Sequence, residues 1–150
     1  MKVVIALGSN LGERERFIDS AIEALKSQVD VLQISTLIET DPVGGPEQGK
    51  YLNGVLIGQT SLSPEELMAF LLEIESKWGR VRTVANGPRT IDLDLIDYQG
   101  LSVQSDSLSL PHPRAHQRAF VLLPWLEVEP DAVLTGVGSV RDIAAGNGWL

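Results

Sequence analysis

A mixed helix-and-strand globular domain is what this sequence predicts, and three observations point to it. Short apolar runs, several alternating with a period of two, are interleaved along the chain with longer stretches of helical period. The boundaries between them carry Gly, Pro, Asn or Ser. The 150 residues are 43% apolar and 21% charged, enough to close one sizeable core. No repeat, linker or shift of composition divides the chain, so residues 1–150 read as a single domain.

Residues 3–7 form a buried first strand, and Gly8-Ser9-Asn10-Leu11-Gly12 a connecting turn into a helix over 13–28, striped by Phe17, Ile18, Ala21, Ile22 and Leu25. Residues 31–40 and 51–60 are both strand-like. The Gly- and Pro-dense segment 41–50 between them is long for a hairpin, and loops of that length are often functional. On the second of these strands Tyr51 and Asn53 share a face. Ser63-Pro64-Glu65-Glu66 is a capping box with Pro at the first helical position. The helix it opens carries Leu67, Phe70, Leu71, Ile74 and Trp78 on its core side and stops at Gly79. A strand covers 91–96, residues 101–110 fit an edge strand or turn, and an apolar helix covers 119–126. Ser139-Val140-Arg141-Asp142 fits the cap of a short final helix.

The net charge is −8, which argues against a non-specific binder of nucleic acid or of anionic membrane. Five of the twelve basic residues are nevertheless arginines between Arg80 and Arg118, a local cluster suited to a small anion. There is no cysteine, which removes disulfides and thiolate metal sites and fits a reducing compartment. The first apolar run is too short for a signal-peptide core, and nothing approaches the ~20 apolar residues of a membrane span. The expectation is a soluble cytoplasmic protein.

The chemistry is concentrated between Gly79 and Asp94. Gly79-Arg80-Val81-Arg82 and Gly87-Pro88-Arg89 precede Ile91-Asp92-Leu93-Asp94-Leu95-Ile96, which alternates with strand period. Asp92 and Asp94 therefore leave one face with Cα atoms about 6.6 Å apart. Two carboxylates without sulfur or paired imidazole suit a hard cation, Mg²⁺ before Zn²⁺. Guanidinium groups grip phosphate oxygens bidentately. An isolated Asp-x-Asp also fits the solvated face of an amphipathic strand, but three arginines within ten residues favour a site. Two readings of lesser motifs remain open. Residues 8–12 lack the ending of a Walker A loop and fit a turn better. His112 and His116 lie four apart, but they lack the Glu of a His-Glu-x-x-His motif, and Pro113 strains that helix start, so phosphate contact by His112 and Arg118 fits better than zinc.

Together, Ala6-Leu7-Gly8-Ser9-Asn10-Leu11-Gly12, Tyr51-Leu52-Asn53, Gly79-Arg80-Val81-Arg82, Gly87-Pro88-Arg89-Thr90-Ile91-Asp92-Leu93-Asp94 and Leu110-Pro111-His112 resemble the 6-hydroxymethyl-7,8-dihydropterin pyrophosphokinase family of folate biosynthesis. The resemblance covers nearly the whole chain. It implies an α+β fold, a three-layer α/β/α sandwich with a ferredoxin-like, mainly antiparallel sheet. It also implies transfer of diphosphate from ATP to the hydroxymethyl group of 6-hydroxymethyl-7,8-dihydropterin, releasing AMP; with the charge and apolar pattern above, the expectation is a monomer whose partners are these two substrates, without nucleic acid or membrane. By matching positions, Asp92 and Asp94 would hold two Mg²⁺ ions. Arg80, Arg82 and Arg89 would be catalytic with them, sharing the phosphates with Arg118 and His112, and Ser109 would contact the nucleotide. Tyr51 and Phe120 would stack on the pterin, and Asn53 with Thr40 and Val43 would read its polar edge. The loops 41–50 and 83–88 would close over the substrates. Two positions depart from the family pattern. Ala85-Asn86 stands where members often carry a basic residue and a tryptophan, and Ser107 stands where an arginine is expected, so altered nucleotide affinity is implied.

Two other classes fit parts of the sequence. A different Mg²⁺-dependent nucleotidyl or phosphoryl transferase would explain Gly8-Ser9 plus Asp-x-Asp, although here the two lie about eighty residues apart. A non-catalytic ferredoxin-like ligand-binding module would have no use for Asp92 and Asp94 beside the arginines.

Overall fold

The computed structural model describes residues 1–10, 12–41, 49–77 and 91–150. Its frame is β1 (Lys2–Ser9), a strand of small and β-branched residues buried on both faces. β1 lies between β4 (Tyr51–Gln59) and β5 (Asp92–Tyr98), antiparallel to both. β4 is flanked on its other side by β2 (Asp30–Ile34) and β3 (Ile38–Thr40), also antiparallel, giving the order β2-β4-β1-β5 with β3 beside β4.

The alternation of side chains sorts the core into two layers. Val3, Ile5 and Leu7 of β1, Leu52 and Leu56 of β4, and Leu93 and Leu95 of β5 pack under α1 (Arg14–Leu25) and α2 (Pro64–Lys77). Val4 of β1, Val55 and Ile57 of β4, and Ile96 of β5 pack under α3 (Ala119–Val128) and α4 (Val140–Gly146). This is the expected α/β/α sandwich, and every described ladder of its central sheet is antiparallel. α2 opens with the capping box read from sequence, Glu66 N–H donating to Ser63 Oγ at 3.1 Å and Ser63 N–H to Glu66 Oε1 at 2.9 Å. At α4, Ser139 Oγ accepts from Asp142 N at 3.2 Å.

Four boundaries differ from the sequence reading. The strand expected over 31–40 is two strands, because Gly54 of β4 leaves room for Leu37 and Ser35 to turn in: a Cβ on Gly54 would sit 2.6 Å from Leu37 Cδ2. The Ser35 hydroxyl then stands in for the ladder, accepting from Val55 N at 2.8 Å. β1 runs through Gly8 rather than ending before it. α1 ends at Leu25, short of Gln28. Residues 101–110 pair with each other as β6 (Val103–Gln104) and β7 (Ser109–Leu110) instead of joining the main sheet. A last hairpin, β8 (Val133–Leu134) and β9 (Gly138–Ser139), leads into α4. Trp78, Gly79 and the loop 83–88 lie outside the described residues, as does most of the loop 41–50.

Candidate active site

The site begins with the pleat of β5. Leu93 and Leu95 root in the α1/α2 layer, so Asp92 and Asp94 project on the α3 side, as the alternation predicted. Register places Asp92 opposite Gly8, itself opposite Asn53, and places Asp94 opposite Ala6, itself opposite Val55. The central strand thus offers only Ala6 and Gly8 between the carboxylates on one side and β4 on the other, leaving a floor without bulk. Gly8 is required there by space: a Cβ would meet Asn53 Oδ1 at 3.0 Å and Tyr51 Cδ1 at 3.7 Å.

Walls rise around this floor from three elements. Tyr51 and Asn53 come from β4, Thr40 from the end of β3, and Phe120 with Arg118 from the entry to α3; with Asp92 and Asp94 they line a cleft of about 600 Å³ including its open mouth. Asn53 is buried, and its Nδ2 donates to Thr40 Oγ1, which fixes the amide plane. The Arg118 guanidinium carbon lies 5.6 Å from the centre of the Phe120 ring, and its Nη1 lies 3.8 Å from Asp94 Oδ2. One cation therefore ties the aromatic wall to the carboxylates. Two aromatic walls and a fixed amide suit a flat heterocycle with a hydrogen-bonding edge.

Asp94 also lines a second cleft, on the other side of β5, together with Leu72, Glu75, Ser109 and His112. The His112 Nδ1 accepts a 3.2 Å bond from Arg114 N–H, which leaves the proton of the neutral imidazole on Nε2. Burial, then the positive charges of Arg118 and Arg114, push the His112 pKa down to about 4, against a smaller opposing effect of Asp92. At neutral pH His112 is an uncharged donor, suited to hydrogen-bonding a phosphate oxygen.

Nine of the thirteen residues expected at the site line these two clefts: Thr40, Tyr51, Asn53, Asp92, Phe120 and Arg118 the first, Ser109 and His112 the second, and Asp94 both, while Val43 lies outside the described residues. So do Arg80, Arg82 and Arg89. Among the described residues no group of three or more His, Cys, Asp or Glu side chains could hold a metal alone. Two carboxylates on one face fit Mg²⁺ nonetheless, because that ion keeps waters and is completed by substrate phosphates rather than by a full protein cage.

Five contributors were given no role at the site by the sequence reading. Ala6 and Gly8 sit at alternating positions of β1, a pattern of small residues that could have marked the floor. Arg14 bonds Lys50 O at 2.9 Å and Glu39 Oε1 at 2.7 Å, and the buried Asn10 donates to Gly49 O at 3.1 Å, so the turn after β1 grips both ends of the segment between β3 and β4. Glu75 accepts from Leu93 N at 2.9 Å. Neither Arg14 nor Glu75 has a local motif that would reveal its distant partner.

A three-layer sandwich whose Asp94 lines both an aromatic cleft and a histidine-bearing cleft fits the class of transferases that act on two substrates. Residues 4–130 match the family model described as 7,8-dihydro-6-hydroxymethylpterin-pyrophosphokinase. The 2-amino-4-hydroxy-6-hydroxymethyldihydropteridine pyrophosphokinase of Bacillus subtilis is 42% identical over 126 residues, covering 83% of this chain and 75% of that one. The Mycobacterium bovis enzyme of the same name is 41% identical over 152 residues, covering 95% and 80%. The wild-type HPPK-DHPS of Plasmodium falciparum superposes with a TM-score of 0.75 at 11% identity; the match covers 97% of this chain but 44% of that one, and is a likeness of fold. The chain belongs to the 7,8-dihydro-6-hydroxymethylpterin-pyrophosphokinase family. It is an enzyme of folate biosynthesis that transfers pyrophosphate from ATP to hydroxymethyldihydropterin. ATP is the co-substrate, and Mg²⁺ is the metal of the family.

Proposed function

We propose that the two clefts divide the substrates, with the pterin in the cleft of Tyr51, Asn53 and Phe120 and the nucleotide in that of Ser109 and His112. The observation that carries this reading is the position of Asp94, which lines both. The pterin ring stacks between Tyr51 and Phe120. Asn53, held by Thr40, reads its polar edge together with backbone up to Val43. The hydroxymethyl group then points along the floor made by Ala6 and Gly8 toward the carboxylates. His112 donates from Nε2 to a phosphate oxygen, Ser109 contacts the nucleotide, and Arg118, Arg80, Arg82 and Arg89 supply charge along the triphosphate.

Asp92 and Asp94 would hold two Mg²⁺ ions, and bound there the metal would supply polarisation of the attacking hydroxyl and neutralisation of charge developing on the transferred group. The chain's own part is to place the hydroxyl oxygen in line with the β-phosphorus and to exclude water that competes for it. The bond from that oxygen to the β-phosphorus forms as the bond to the α-phosphate oxygen breaks, and AMP leaves. The protein works as a cytoplasmic monomer, one catalytic domain, without nucleic acid or membrane; no helix among the described residues is long and apolar enough to cross a membrane.

Product analysis after incubation with Mg²⁺, ATP and 6-hydroxymethyl-7,8-dihydropterin tests the reading. AMP together with the pterin diphosphate is expected. Diphosphate release instead of AMP would mark a nucleotidyl transferase, and nucleotide binding without turnover a binding module.

A further inference from the structure

Glu75 is the most deeply buried acidic side chain among the described residues, 2% exposed. It stands on a helix face otherwise built from Leu67, Leu71 and Ile74, where an apolar side chain of similar volume would fill the space without the desolvation penalty of a carboxylate. Packing therefore does not account for it. Its Oε2 accepts a 2.9 Å hydrogen bond from the backbone N–H of Leu93, the residue between Asp92 and Asp94. β5 is the outer strand of its sheet, laddered only to β1 among the described residues; on its far edge His112 N–H holds Ile96 O at 2.8 Å, and Glu75 holds the backbone nearer the carboxylates, at Leu93.

We infer that Glu75 is a positioning residue for the carboxylate pair. By holding the Leu93 amide it does, at the site end of that edge, what a neighbouring strand would do. It thereby fixes the pleat that roots Leu93 in the α1/α2 layer and sends Asp92 and Asp94 together to the opposite face. Glu75 acts through Leu93, and the inference rests on the reading of Asp92 and Asp94 as metal ligands.

The test compares Glu75→Met, which keeps the volume and removes the acceptor, with Glu75→Gln, whose amide oxygen can still accept from Leu93. Three quantities are measured: Mn²⁺ affinity in the presence of a non-hydrolysable ATP analogue, hydrogen exchange at the Leu93 amide, and metal-free binding of the pterin. Glu75→Met is expected to weaken Mn²⁺ binding by about 10- to 100-fold, the range for losing a group that orients metal ligands, and to speed exchange at Leu93. Pterin binding should stay unchanged, and Glu75→Gln should stay within about threefold of wild type. Wild-type Mn²⁺ affinity in Glu75→Met would overturn the inference while leaving the metal reading intact. Glu75→Gln as weak as Glu75→Met, with slow exchange at Leu93, would also overturn it, because the charge would then act on the ligand directly. Wild-type protein that binds no Mn²⁺ with the nucleotide analogue would overturn the metal reading and the inference with it.

Discussion

Asp94 lines both clefts with its side chain partly exposed. Its contact with Arg118 is a 3.8 Å ion pair with both side chains partly exposed, a type of interaction worth about 0–1 kcal/mol. Asp94→Ala is therefore expected to abolish AMP production while leaving the thermal unfolding temperature nearly unchanged; normal turnover in the folded variant would remove Asp94 from the metal site. Gly8 makes a different prediction. A methyl group there meets Asn53 Oδ1 at 3.0 Å, so Gly8→Ala pushes the amide off its bond to Thr40. A misplaced buried amide costs about 1–3 kcal/mol, on the order of a tenfold rise in the Michaelis constant for the pterin, with that for ATP little changed. Asn53→Ala should give the same asymmetry. Steady-state kinetics with each substrate varied in turn checks both, and equal effects on the two substrates would take Asn53 out of the pterin cleft.

Elements that carry their own instructions were legible in the sequence. The capping box at Ser63-Glu66 and the alternation through Asp92 and Asp94 are local patterns, and both stand as read. What could not be read is where distant segments meet. The break between β2 and β3 depends on Gly54, nearly twenty residues on, and the grip of Arg14 on Glu39 and Lys50 spans 25 and 36 residues. That grip matters because β3 ends at Thr40 and β4 begins at Tyr51, so Arg14 sets the spacing of two cleft walls. The Arg14 guanidinium also holds the Glu39 carboxyl below its ordinary range. Arg14→Ala is expected to raise the pterin Michaelis constant about two- to fivefold, the scale of an exposed ion pair, and to leave ATP kinetics unaltered. Arg14→Lys should not restore it, because a single ammonium cannot serve both partners with the geometry of a guanidinium fork. Wild-type pterin kinetics in Arg14→Ala would show that the spacing is set elsewhere.

Across the whole molecule, the layer order came from family resemblance, because periodicity assigns each strand an inner and an outer face without saying which helix covers which. The structure adds an electrostatic asymmetry that no pattern reveals. His112 lies beside the site and Asp97 at the other end of β5, where the register shift opposite Val4 and Ile5 leaves it buried. The His112 pKa falls from the ordinary 6.5 to about 4, chiefly through burial, so between those values the unfolded chain binds more protons and stability is lost as pH falls. The Asp97 pKa is raised, also chiefly by burial and against the bonds from Gly100 and Thr135. For Asp97 the folded chain holds the proton more tightly. Its contribution is therefore present below the ordinary 3.8 and is lost as pH rises through the folded pKa. The two groups bend the pH profile in opposite directions. Urea unfolding without substrates should show Asp97→Asn stabilising the protein at pH 7.5, with that advantage shrinking toward pH 4. His112→Gln should show the reverse, with little effect at pH 7.5 and a relative gain that grows below pH 6.5. If the Asp97→Asn advantage were the same at both ends of the range, the Asp97 carboxylate would not be carrying a burial cost, and its bonds to Gly100 and Thr135 would outweigh desolvation.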